Sequence, residues 1–335
     1  VVDYLTEAAL YWVDLDGDGD YTDGVDGFRV DNATFPPQEF FFEFRQRIKA
    51  ANPETLLLGE TWVTDPRSLS IFYQDQFDAL FDFPLYSVVQ GGQNFNTDGI
   101  LAGKLSPILL TSALEDQATR YPEEAQAVRF FSNHDTNRIA TELNGSLERQ
   151  KLAASLLVCL PGPIMIYYGE EIGMPGQKGP APWYDAYRRE PMDWYAAEQG
   201  PDQASWFKPE DRWNAPNDGI SVEEQNGDLG SLLNHWRDML AARKSTPALE
   251  GAEIGFPAYA ASGQGAWVVS RGLGSEWALA LFNFSEDEIE ITLEEAPFEA
   301  AAPLDLVSGQ RLPPVSAGQP YALTLPPLSA VILVP

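Results

Sequence analysis

Along the first two thirds of the chain, short runs rich in β-branched and aromatic residues alternate with longer stretches whose apolar positions recur at helical spacing. The short runs are Gly27-Phe28-Arg29-Val30-Asp31, Thr55 to Glu60, Ala79 to Phe83, Val128 to Asn133 and Pro163 to Gly169, and each predicts a strand. Between the first two, Phe40, Phe41, Phe44 and Ile48 share one helical face, with Pro36-Pro37 before the helix and Asn52-Pro53 after it. Further helices are predicted from Tyr4 to Trp12, from Leu147 to Leu160, and where Leu232, Leu233, Trp236, Met239 and Leu240 line one face. Strand and helix in such alternation are the pattern of βα units around a parallel sheet.

From about residue 250 the period changes to that of antiparallel strands: Ala266 to Ser270, Trp277 to Phe282, Ile289 to Leu293 and Tyr321 to Val334. Two domains are therefore expected, residues 1–248 with the βα units and residues 249–335 as a small antiparallel β-sandwich. Inside the first, residues 174–228 carry Gly, Pro, Trp and Asp without a period, as functional loop regions do. Trp183, Tyr184, Tyr187, Trp194, Tyr195, Trp206 and Trp213 fall there, and such rings can stack on sugar faces or fill a core.

Three of the predicted strands lead to acids: Asp31 closes the first, Glu60 the second, and Asp135 follows the fourth after Asn133-His134. Barrel enzymes carry catalysis at that end of their strands. Two carboxyls on neighbouring parallel strands can reach the roughly 5–5.5 Å separation that a retaining glycosidase uses.

On Gly27-Phe28-Arg29-Val30-Asp31, Leu58-Gly59-Glu60-Thr61-Trp62 and Phe131-Ser132-Asn133-His134-Asp135, taken in this order, the sequence resembles the α-amylase family, glycoside hydrolase family 13. Ile166 to Gly173 is similar to the block at the family's eighth strand, and Arg189-Glu190-Pro191-Met192-Asp193-Trp194 to a stretch of its amylase and oligoglucosidase members. The resemblance implies a (β/α)8 barrel followed by a β-sandwich. It implies Asp31 as nucleophile, Glu60 as general acid and base, and Asp135 as stabiliser of the transition state, with substrate contacts from Arg29, His134, Trp62 and Arg138.

The sequence also departs from the family. The positions where many members carry a Lys-His pair are Thr34 and Phe35, and the first signature block has no match, since His134 and His235 are the only histidines. A full barrel needs eight strands. Only five precede the sandwich, so three N-terminal βα units are expected to be missing from this sequence.

Charge narrows the partners. Against 21 Lys and Arg stand 50 Asp and Glu, a net charge of −29 that repels nucleic acid and anionic lipid and favours neutral sugars and cations. Every apolar run is broken too early to span a bilayer. Cys159, the only cysteine, sits in the apolar run Leu156 to Leu160 and reads as core. A monomer is expected.

Cations find a second place in Asp14-Leu15-Asp16-Gly17-Asp18-Gly19-Asp20-Tyr21-Thr22-Asp23. Carboxylates at alternate positions with Gly19 at the sixth place fit an oxygen-ligand calcium turn, with Asp14, Asp16, Asp18, Asp20 and Asp23 as candidate ligands. The twelfth position is Val25, so the loop is not an EF-hand, and a solvated acidic turn is the alternative. Calcium here would be structural, and no organic cofactor is expected.

The expected activity is hydrolysis of α-1,4-glucosidic bonds in starch or maltooligosaccharides with retention of configuration. Transfer to a sugar hydroxyl, or action on α-1,6 links or cyclodextrins, is the close alternative within the family. A relative that keeps the fold without catalysis would be expected to lose the three carboxylates, and all three are present.

Overall fold

Leu56-Leu57-Leu58-Gly59 lies against Gly27-Phe28-Arg29-Val30 in parallel register, Gly27 opposite Leu56 and Val30 opposite Gly59. The approach requires the glycine: a Cβ at Gly27 would stand 2.4 Å from the Leu56 carbonyl oxygen. This pair begins the sheet in a computed structural model that describes residues 1–91, 98–206 and 212–335. The chain forms two compact units, Val1–Tyr86 with Ser112–Arg129, and Ser87–Thr111 with Phe130–Pro335.

In the first unit β1 (Gly27–Val30), β2 (Leu56–Gly59), β3 (Ala79–Phe81) and β4 (Gln126–Val128) form one parallel sheet in chain order. Helix α1 (Val2–Val13) precedes β1, and α2 (Gln38–Ala51) joins β1 to β2. The periodicity of α2 fixes its inner face: Phe41, Phe44 and Ile48 are buried with Leu57, Phe77 and Leu80. Phe41 meets Phe77 with ring centroids 4.9 Å apart. Each such side chain contributes about 1.5–3 kcal/mol through burial, so this face holds the strand ends in place.

The fourth and fifth expected strands need correction. The fourth is Gln126–Val128 and ends at the first residue of the run expected for it. Phe130 and Phe131 are buried but not in a ladder; the Phe131 carbonyl takes its hydrogen bond from the Gln90 side chain at 2.7 Å. Pro163 to Gly169 is not a strand among the described residues. Its Tyr167 and Tyr168 rings pack on the Arg138 guanidinium, at 4.5 and 4.7 Å, and the Tyr168 carbonyl accepts from Arg138 Nη1 at 2.6 Å.

The second unit holds the antiparallel strands. One sheet has the order β10 (Leu304–Asp305), β12 (Ser329–Val334), β8 (Glu276–Asn283), β7 (Ala266–Leu273), β5 (Glu253–Gly255), and the other β11 (Tyr321–Leu325), β9 (Ile289–Leu293), β6 (Tyr259–Ala261). Tyr321 to Val334, expected as one strand, is two strands in different sheets, because Pro326-Pro327 has no N–H to continue a ladder and Leu328 turns at φ 48°. β7 and β8 are buried along most of their length instead of alternating. Ala266, Val268, Leu279 and Leu281 face the sandwich core, while Trp267 on the other face donates to the Thr111 hydroxyl at 2.9 Å. A sheet covered on both faces loses the polar half of its alternation. The irregular stretch 174–228 is loop apart from a 3-10 turn at Tyr184–Arg188 and a helix at Val222–Asn226; its residues 207–211 lie outside the described ones.

Candidate active site

On the first unit the site begins at β1. Residues two apart on a strand share a face, and Arg29 and Asp31 pair at 2.5 Å between Nη1 and Oδ1. The other guanidinium nitrogen of Arg29 pairs with Glu60, just past β2. One cation thus holds both carboxyls. Asn32 follows in the left-handed region at φ 49°, where asparagine is tolerated, and its N–H lies 3.4 Å from Oε2 of Glu60. The next N–H, of Ala33, donates to the Glu60 carbonyl at 2.7 Å. The two acids sit in opposite surroundings: the Asp31 side chain is 75% exposed and that of Glu60 3%. Trp62 is half-buried, its ring 4.6 Å from that of Phe83.

On the second unit Asp135 is set by the turn that contains it. The Asn133 side chain accepts from the Asp135 N–H at 2.9 Å, and the Thr136 hydroxyl accepts from the Asn133 N–H at 2.9 Å. Arg189 then bridges the turn, with Nε to the His134 carbonyl at 2.8 Å and Nη2 to Asp135 Oδ1 at 2.5 Å. His134 Nε2 stands 3.4 Å from the other Asp135 oxygen. Arg189 was not among the residues singled out from the sequence, although it opens the Arg189-Glu190-Pro191 block; its pairing 54 residues back is a tertiary fact.

Arg138 is corrected. It is 1% exposed, with Nε donating to the Arg188 carbonyl at 3.1 Å and Nη1 to the Tyr168 carbonyl at 2.6 Å. No surface is left for a sugar. Arg138 fastens loops together. Behind it the acids Glu170 and Glu171 open a 3-10 turn, and burial raises the pKa of both, that of Glu170 to about 7.

The acidic loop is knit by its own carboxylates. Asp14 accepts from the N–H groups of Gly17 and Gly19 at 2.8 and 3.0 Å, and Gly17 and Gly19 take φ values of +76° and +82° that few other residues would accept. Oxygens of Asp14, Asp16 and Asp18 lie within 4.8 Å of one another. Asp20 and Asp23 are outside that triad. Asp20 caps the Thr22 N–H, and Asp23 accepts from Leu15 and Asp16.

A sequence model of the alpha amylase catalytic domain matches residues 1–252. The chain belongs to the α-amylase family. A model of the maltogenic amylase C-terminal domain matches residues 269–332. Alpha-amylase 3 of Dictyoglomus thermophilum is 30% identical over 257 residues, which are 75% of this chain and 47% of that protein. A cyclomaltodextrinase of Geobacillus thermopakistaniensis is 26% identical over 334 residues, 98% of this chain and 47% of its own length. The crystal structure of the α-amylase from H. orenii superposes with a TM-score of 0.77 at 27% identity, over 99% of this chain and 64% of that one. The chain therefore spans about half the length of the curated relatives it matches. Within the family's barrel fold it carries the four parallel strands of the first unit, followed by the antiparallel C-terminal domain.

Proposed function

We propose that this α-amylase family chain carries the catalytic acids of a retaining α-glycosidase acting on α-1,4-glucosidic bonds of starch or maltooligosaccharides. The observation that carries the reading is the single guanidinium of Arg29 shared by Asp31 and Glu60, which ties a solvent-facing carboxylate to a buried one. In the first step Asp31 attacks the anomeric carbon, the bond to the leaving oxygen breaks, and Glu60 gives that oxygen its proton. In the second, Glu60 takes a proton from water, the water oxygen attacks the same carbon, and Asp31 is released. Asp135, steadied by Arg189 and next to His134, grips sugar hydroxyls most tightly as charge develops at the anomeric carbon.

Asp31→Asn in the full-length protein should lower maltoheptaose turnover by about 10³-fold or more while leaving the circular dichroism spectrum unchanged. Near wild-type turnover would sink the assignment. A second reading, cleavage of cyclodextrins, is favoured by the cyclomaltodextrinase relative, whose similarity runs over 98% of this chain. Initial rates on β-cyclodextrin against maltoheptaose separate the two.

The acidic loop is proposed as a structural calcium site. All its side-chain donors are oxygens, the donor type a hard cation prefers, and the Asp14, Asp16 and Asp18 oxygens are close enough to share one ion. Such an ion would offset carboxylate repulsion in the loop that leads into β1.

A further inference from the structure

We infer that Glu170 is a positioning residue: buried behind the turn Ser132–Asn137, it holds Ser132 and through it the peptide that carries His134 and Asp135. The inference rests on the role proposed for Asp135. Glu170 is 4% exposed, and its Oε2 accepts from the Ser132 hydroxyl at 2.6 Å. The next residue, Asn133, supplies the side-chain oxygen that holds the Asp135 N–H at 2.9 Å. The contact therefore lies two covalent steps from the group that orients Asp135.

The far end of the same turn is fastened in the same way. The Asn137 side chain donates to Oε1 of Glu142 at 2.7 Å, and Glu142 is 6% exposed. In both acids the second oxygen, Oε1 of Glu170 and Oε2 of Glu142, is buried without a hydrogen-bond donor. A carboxylate so placed lacks the donors that an ion needs, whereas a protonated carboxyl does not need them. Two buried acids thus bracket the turn by hydrogen bonds rather than by ion pairs.

The surroundings of Glu170 favour the uncharged form. Burial raises its pKa most and the neighbouring Glu171 raises it further, while the Ser132 hydrogen bond, the next influence after burial, and Arg138 lower it. The Leu232–Ser245 helix packs against the 3-10 turn Glu170–Ile172 through Leu233, which meets Ile172 and Met174 and brings no charge to the carboxyl. With its pKa pushed up to about 7, Glu170 is protonated in mildly acidic solution and ionises near neutrality. Ionisation strengthens the hydrogen bond from Ser132 but buries a charge whose Oε1 has no donor, so it costs folding stability.

The sign of the pH effect follows from linkage. The folded-state pKa lies above the ordinary carboxyl value of 4.5, so this group's contribution to stability is complete below about pH 4.5 and is lost as pH rises to about 7. The test compares wild type, Glu170→Gln and Glu170→Ala by thermal midpoint and by maltoheptaose kinetics across that range and beyond it. Gln keeps a neutral group of the same shape. Its midpoint should gain on wild type as pH rises through about 7, and its kcat should stay close to that of wild type at every pH. Ala should lower kcat about tenfold at every pH with little change in KM. Parallel profiles of midpoint against pH for Gln and wild type, or an Ala variant with wild-type kcat, would overturn the inference. If wild type shows no turnover on any α-glucan, the reading of Asp135 fails, and the midpoint comparison between Gln and wild type still decides the protonation of Glu170.

Discussion

The two compact units hold their candidate catalytic acids with different security. On the first, Arg29 serves two carboxyls at once, and one of them, Glu60, is almost wholly buried. On the second, Arg189 serves the single carboxyl of Asp135, and both partners are about one third exposed, at 37% and 29%. The origin of each cation differs as well. Arg29 comes from β1, which ends one residue before Asp31, whereas Arg189 arrives from the irregular stretch after residue 174. Local strand geometry gives a clamp that forms with the sheet; a loop gives one that can be lost without disturbing a core.

The largest expected effect breaks the first clamp. Arg29→Met leaves Glu60 buried without its cation, and removing one partner of a buried pair costs about 3–5 kcal/mol, with the lower figure apt because Arg29 is itself 32% exposed. Urea unfolding should show that loss, and maltoheptaose turnover should fall with it. A cost no greater than that of the matching change at Arg189 would erase the contrast between the units.

This difference also sets what can be read from the sequence. β1, β2 and β3 fall where the apolar runs place them, because their residues pair with neighbouring backbone and their side chains pack on α2. The same logic fails at Phe130-Phe131-Ser132, an apolar run whose backbone is met by the Gln90 side chain, and at Tyr167-Tyr168, which wrap Arg138. The family resemblance implied a substrate contact for Arg138, but a helical turn begins after it and its side chain is buried. Asp31, Glu60 and Asp135 stand out because each lies in a short block of recognisable residues. Arg189 and Glu170 also lie in recognisable blocks but show no role there, since each acquires its meaning from a partner 54 or 38 residues away.

A smaller effect is expected from the calcium loop, and it sharpens the comparison because the loop leads into β1 alone. An ion at about a hundredfold excess over its dissociation constant stabilises by about 2.7 kcal/mol, so chelation should lower the thermal midpoint by several degrees. Asp16→Asn should remove most of that shift. A midpoint that ignores chelation would leave Asp14 to Asp23 as a solvated turn held by its own side-chain caps.

The smallest change in stability belongs to Arg189→Gln. Its pair with Asp135 is exposed enough to be worth about 1 kcal/mol or less, and the Asn133 and Thr136 contacts keep the turn in shape without it. Catalysis should be more sensitive than folding. Without the guanidinium, Asp135 keeps the His134 imidazole 3.4 Å away but loses its fixed partner, and can swing off the position from which it would grip sugar hydroxyls. If Asp135 tightens chiefly on the transition state, kcat should drop about tenfold while KM moves little. A variant that raises KM and spares kcat would instead make Arg189 a ground-state binding residue, and the second unit's clamp would then serve the substrate rather than the acid.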